Sequence, residues 1–321
     1  MRDEERLARE EQRDEKSRMN LPEGLHLLDL PQPMRGFRHF ISSWFFVDTL
    51  GRRVLVDPGP AGTIPLLIER LSEITDGVDL VLLTHIHPDH SGGTGQFCEA
   101  FDAKVLVHPK GKKHLLDPER LWRSSIETLG EIAEMYGRPR PLAPGALLDS
   151  EEVEGVTILE TPGHASHHLS FIVPFRGERL FFVGEAAGLC LPLASSNPLR
   201  PWLRPTTPPR FDGTAERESL RKIRQNLQEN DILCYAHYGA TRQAFRMIGF
   251  AGMQLDAWLA VVKEMRDRPD EEIAEHLIAR DPLLSDAVAH LPADLLERER
   301  IFIRNSIRGL SGYLKSASRV V

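Results

Sequence analysis

The run Leu80–Gly93, "LVLLTHIHPDHSGG", constrains this chain more than any other stretch. Its first half is unbroken apolar sequence, the mark of a strand buried on both faces. Its second half places His85, His87, Asp89 and His90 within six residues, where the strand must reach the rim of its sheet. Side chains there sit on a rigid element yet face open space, which suits a metal site that keeps one side free for a substrate. The two-residue period of an extended segment sends His85, His87 and Asp89 to one side. Pro88 and Asp89 then bend the chain, so Asp89 and His90 can serve an adjacent point. One short loop therefore carries donors for two neighbouring ions.

Around this loop the chain divides into three parts. Residues 1–20 open on "MRDEERLAREEQRDEKSR", too poor in apolar surface to pack, and read as a flexible arm or frayed helix. Residues 21–243 alternate strands with helices. A first strand falls at "GLHLLDL", a hairpin joins "FISSWFFVD" to "RRVLVDPGP", and a helix covers "TIPLLIERLSEI". After "VDLVLLTH" come a strand at "AKVLVHP", a helix over 117–136 and strands at "VTILETPGH", "LSFIVPF" and "RLFFVGE". A proline-rich loop, the helix "ERESLRKIRQNL" and the strand "DILCYAHYG" complete this part. Such alternation implies an α/β sandwich. Residues 244–321 turn all-helical. Ile248, Leu255, Leu259 and Val262 line one face, Asp270 is placed to cap a second helix, and Leu296, Ile303, Ile307, Leu310 and Leu314 form a last stripe, all read as packing.

Each remaining metal-type donor also follows a strand: His164 after "VTILE", Glu185 after "RLFFVG" and His237 after "DILCYA". A lone histidine at a strand end is usually structural, and an unpaired carboxylate after an apolar strand is costly. Recurrence at four strand ends points to metal. His167 and His168 read first as a polar cap on the next strand, with one of them supporting the site or meeting the substrate as the alternative. Tyr238 reads equally as a structural hydrogen-bonding residue or a donor to a substrate.

With these residues in place, the region from about Leu25 to Gly239 resembles the metallo-β-lactamase superfamily, whose signature is HxHxDH followed by His, an acid and His. The resemblance implies an αββα sandwich followed here by the helical extension. It implies that His85, His87 and His164 hold one ion, that Asp89, His90 and His237 hold a second, and that Asp57 of "LVDPGP" supports the site from behind. Glu185 stands where most dinuclear members carry a bridging aspartate. Its extra methylene leaves open whether it bridges both ions, binds one, or weakens the second site. Imidazole-rich sites with carboxylates suit Zn²⁺ and Fe alike.

The chemistry expected of such ions is hydrolysis: bound water becomes a hydroxide near neutral pH and attacks a small ester, thioester, lactone or related substrate. By the same resemblance, Asp89 both ligates and orients that nucleophile. A mononuclear-iron sulfur oxygenase on the same fold is the alternative, and a phosphodiesterase or nuclease stands behind it. The net charge of −7 argues against a nucleic-acid or anionic-membrane partner, which leaves a small molecule. Cys98, Cys190 and Cys234 form no CxxC pair, which fits a reducing cytoplasm. The charged arm and terminal helix offer surfaces for a homodimer.

Overall fold

The computed structural model of the protein describes residues 19–148, 153–191 and 202–317. The charged arm expected at the N-terminus lies almost wholly outside the described residues. Two five-stranded sheets pack face to face in the expected sandwich. The first contains β1 (His26–Asp29), β2 (Ser42–Val47), β3 (Arg53–Val56), β4 (Leu80–Leu82) and β5 (Lys104–Leu106), in that spatial order. The first three strands are antiparallel. β3, β4 and β5 are parallel, so each joining segment must cross over. Helix α1 (Ile64–Ser72) makes the first crossover and buries Ile64, Leu67 and Leu71 at helical spacing. The second carries α2 (Pro88–Ser91), which is the donor loop itself, and α3 (Thr94–Ala100).

Helix α4 (Pro109–Leu116) follows β5. The single helix expected over 117–136 is two, α5 (Glu119–Leu129) and α6 (Glu131–Tyr136), because Gly130 breaks it at φ +55°. The second sheet runs β12-β11-β8-β7-β6, from β6 (Thr157–Glu160), β7 (Leu169–Phe175), β8 (Glu178–Gly184), β11 (Asp231–Tyr235) and β12 (Ala240–Thr241). Between them, β9 (Leu189–Leu191) pairs antiparallel with β10 (Trp202–Arg204), and helix α7 (Gly213–Asn226) precedes β11. The proline-rich segment expected to be a loop thus contains a strand, because Trp202–Arg204 finds its hydrogen bonds on β9.

The sheets meet through aromatic side chains at alternate positions of β2: Phe46 stacks on Phe182 at 5.4 Å and Trp44 meets the same ring edge-on at 6.3 Å. A polar clasp sits beside this contact. Ser42 Oγ donates to the carbonyl of Ala236 (3.0 Å) and Trp44 Nε1 to that of Tyr235 (2.9 Å). These bonds fix the end of β11, two residues before His237, to the opposite sheet.

Past β12 the chain is helical: α8 (Ala244–Glu264), α9 (Asp270–Arg280), α10 (Pro282–Val288) and α11 (Ala293–Ala317). Ile248, Leu255, Leu259 and Val262 are buried as their spacing implied. Asp270 is not a cap. Pro269 holds that position, and the Asp270 carboxylate instead accepts from Arg308 Nε at 2.7 Å. The stripe on α11 is rotated from the one expected: Ile303, Ile307 and Leu310 are buried with Leu295, Arg298 and Glu299, while Leu296 and Leu314 are partly exposed.

Replacing Trp44 with Phe keeps the ring contact and removes the clasp to Tyr235. Chemical denaturation should show a stability loss of about 1–3 kcal/mol, the usual cost of stranding a buried polar group.

Candidate metal centre

All seven expected donors converge at one edge of the sandwich, where β4, β6, β8 and β11 end. Their ligand atoms form two groups, His85, His87, His164 and Glu185 in one and Asp89, His90 and His237 in the other, with every ligand atom in a group within 4.8 Å of the rest. The local folding of the donor loop explains the division. His87 is still extended at φ −65°, ψ 149°, and Pro88 then starts the turn of α2. That turn carries Asp89 and His90 toward His237, whose Nε2 is 3.4 Å from Asp89 Oδ2, while the His90 ring stays 4.4 Å from that of His85. The bend falls at Pro88, where the sequence placed it.

Three of the histidine donors, His85, His164 and His237, are held from behind by a bond at Nδ1. Thr84 gives its hydroxyl proton to Asp57 Oδ2 (2.6 Å) and its backbone N–H to Asp57 Oδ1 (2.8 Å). The Thr84 oxygen, 3.1 Å from His85 Nδ1, is then left to accept from that nitrogen. His164 Nδ1 donates to the carbonyl of Thr206 (2.9 Å), and its backbone N–H donates to Glu216 Oε2 (2.8 Å). His237 Nδ1 donates to the carbonyl of Phe40 (3.0 Å), whose ring stacks on the imidazole at 4.4 Å. A carbonyl can only accept, so His164 and His237 carry a hydrogen on Nδ1, as His85 does toward Thr84. In the neutral form each turns the Nε2 lone pair inward.

Those bare nitrogens face other lone pairs. His164 Nε2 lies 3.0 Å from both Glu185 Oε2 and His87 Nδ1. Glu185 Oε2 is also 3.2 Å from His85 Nε2 and from His90 Nε2, and Glu185 Oε1 is 3.3 Å from His237 Nε2. Both ring nitrogens of His90 are buried without a hydrogen-bond partner. Lone pairs held this close repel unless a cation lies among them. The spacings are near the roughly 3.3 Å edge of a tetrahedron built on Zn–N bonds of about 2.05 Å. The donor set therefore fits a divalent ion in each group. Glu185, despite its extra methylene, reaches both.

The electrostatics favour cation binding. Burial drives His85 well below its ordinary range and His87 to about 3, with neighbouring imidazoles adding to the effect, so both stay neutral. Burial alone would raise Glu185, but the imidazoles of His164 and His237 outweigh it and hold the carboxylate ionised. Asp89 is likewise kept ionised against burial by His90 and His237. Tyr136 is buried on α6. Burial first, then the charges of Asp89 and Glu185, push its phenol well above the usual range, so it remains an O–H donor.

His168 is not a strand cap. It is fully buried, donates from Nδ1 to Thr161 Oγ1 (2.8 Å) and accepts the backbone N–H of Glu185 at Nε2 (3.0 Å). Gly184 makes this approach feasible, because a Cβ there would lie 2.3 Å from His168 Nε2. His167 stands at the rim, its ring 5.9 Å from that of His87 and pushed down to about 4 by burial. Tyr238 pairs with His39 Nδ1 through its hydroxyl at 3.0 Å. The supporting residues Phe40, Thr206 and Glu216 went unnoticed in the sequence, where nothing sets them apart.

A two-sheet sandwich with clustered histidine and carboxylate donors at the strand ends defines a metallo-hydrolase. The chain belongs to the metallo-beta-lactamase superfamily, whose family model matches residues 37–237. It is 30% identical over 197 residues to a metallo-beta-lactamase fold-containing protein of Sulfurisphaera tokodaii, covering 58% of this chain and 68% of that one. It is 27% identical over 206 residues to the hydroxyacylglutathione hydrolase of Vibrio campbellii, covering 64% of each. In structure it resembles an archaeal superfamily protein from Sulfolobus tokodaii with a TM-score of 0.64 at 23% identity, over 90% of this chain and 99% of that one.

His168→Leu removes the acceptor that aims Glu185. Metal affinity, measured by chelator competition, should fall about 10–100-fold, as it does when outer partners of ligands are lost elsewhere.

Proposed function

We propose that this metallo-hydrolase holds two divalent ions, zinc or iron, and hydrolyses a small ester, thioester or lactone. One observation carries the reading: the two oxygens of Glu185 lie 3.0–3.3 Å from nitrogens of both donor groups, so a single carboxylate spans them. His85, His87 and His164 would hold the first ion, and Asp89, His90 and His237 the second, with Glu185 shared. When bound, such ions bring coordinated water close to ionisation at neutral pH and polarise a substrate carbonyl.

The chain's own groups then have defined tasks. Asp89, ionised and with Oδ2 3.4 Å from both His90 and His237, is placed to orient water by accepting its hydrogen. Burial keeps the imidazoles of His85 and His87 neutral, as ligands to a cation must be. In the overall reaction water adds to the acyl carbon, the acyl–sulfur or acyl–oxygen bond breaks, and the leaving thiolate or alkoxide takes up the proton that water loses. The thioester branch gains support from the likeness to hydroxyacylglutathione hydrolases. The competing expectation, a single-iron sulfur oxygenase, was favoured particularly by a Glu185 that disrupts the second site. The closeness of Glu185 to both donor groups supports the hydrolytic reading over it.

Mass-spectrometric metal analysis of the purified protein should find close to two equivalents of zinc or iron, and a panel of thioesters, lactones and phosphodiesters should show chelator-sensitive turnover of the acyl substrates. Less than half an equivalent, with turnover indifferent to chelation, would refute the reading. Glu185→Gln should retain the fold and lower kcat/KM roughly 10²-fold or more, a typical loss for a charged group acting on the reacting centre.

A further inference from the structure

The buried face of α11 contains two adjacent charges, Arg298 and Glu299, each no more than 1% exposed. Glu299 Oε2 accepts from Arg204 Nε (2.5 Å) and Trp202 Nε1 (3.2 Å), and its Oε1 accepts from Arg298 Nε (2.9 Å). Two guanidinium groups share one carboxylate in a buried interior, an arrangement that adds little net stability over apolar packing. The free end of Arg298 has another use. Its Nη1 donates to the carbonyls of Gly36 and Arg38, both at 2.8 Å, and the guanidinium lies over the ring of Phe40 at 4.5 Å. Phe40 is the residue whose ring stacks on His237 and whose carbonyl takes the His237 Nδ1 hydrogen.

Eight residues further along the same helix, Ser306 repeats the arrangement on the other donor group. Ser306 Oγ donates to the carbonyl of Pro205 (3.0 Å), and the Ser306 carbonyl accepts from Thr207 Oγ1 (2.8 Å). Between these two anchors lies Thr206, whose carbonyl takes the His164 Nδ1 hydrogen.

We propose that α11 is a structural part of the metal centre, with Arg298 the positioning residue for His237 and Ser306 the positioning residue for His164. The proposal rests on the two-ion reading above and adds to it that the two ions are supported separately from one helix. The physical reason is that an imidazole donor needs both its tautomer and its ring plane fixed. A carbonyl acceptor sets the first and a stacked or anchored neighbour sets the second. Arginine is required at 298 because one planar fork must reach Glu299, two carbonyls and an aromatic face together, which a lysine ammonium cannot do.

The test is a stepwise Co²⁺ and Zn²⁺ titration of the metal-free full-length chain against a competing chelator, with His164→Ala and His237→Ala as references that assign each step. Arg298→Lys and Phe40→Leu should weaken the ion lost in His237→Ala by about 10-fold or more and leave the other within about threefold, and Ser306→Ala should do the reverse. Phe40→Leu leaves the buried charges intact, so it decides the matter if Arg298→Lys folds poorly. Equal losses of both ions, or no loss, in the Arg298 and Phe40 variants would overturn the proposal. A wild-type chain that takes up no ion would instead overturn the two-ion reading.

Discussion

Glu185, a buried carboxylate whose oxygens lie 3.0–3.3 Å from imidazole nitrogens of both donor groups, sets the demand that much of this protein is organised to meet. Glu185 cannot relax toward solvent, because His168 grips its backbone N–H and Thr206 Oγ1 donates to its carbonyl. His85 is fixed through Thr84 to Asp57, and Asp57 itself adopts a left-handed φ of +53°, a conformation a non-glycine residue takes only under firm local restraint. Short, directional bonds on the far side of the centre thus hold the donors in place, which is the preorganisation a bound cation would need.

The sandwich supplies these restraints from two directions. The donor loop belongs to the first sheet, whereas His164, Glu185 and His237 follow strands of the second. Any sliding of one sheet over the other would shear the two donor groups. The Ser42 and Trp44 bonds to the end of β11, with the stacked Phe46 and Phe182 behind them, resist that motion close to the site. Precision at the centre is therefore a property of the sheet packing as much as of the ligand loop.

Much of this was legible in the sequence. The donors were readable because histidine and carboxylate are chemically distinctive and each follows an apolar run of strand length. The supports were not, since the key acceptors at Phe40 and Thr206 are backbone carbonyls, which every residue possesses. β10 was hidden by prolines and formed only because β9 offered it a partner. The break at Gly130 was available in "TLGEI" but was overridden by helical residues on both sides. On α11 the signal lay in Arg298 and Glu299 interrupting an apolar stripe, and reading the stripe as packing lost it. The role of Glu185 was undecidable from residue type, because one methylene matters only relative to where its strand stops.

The bond from Arg298 to the loop at 36–40 spans 262 residues between Arg298 and Gly36. Synthesis runs from one end of the chain to the other, so a growing polypeptide displays every donor through His237 well before the strut that steadies it has been made. The backing of His237 is therefore closed only by α11, a helix that follows every donor in the sequence.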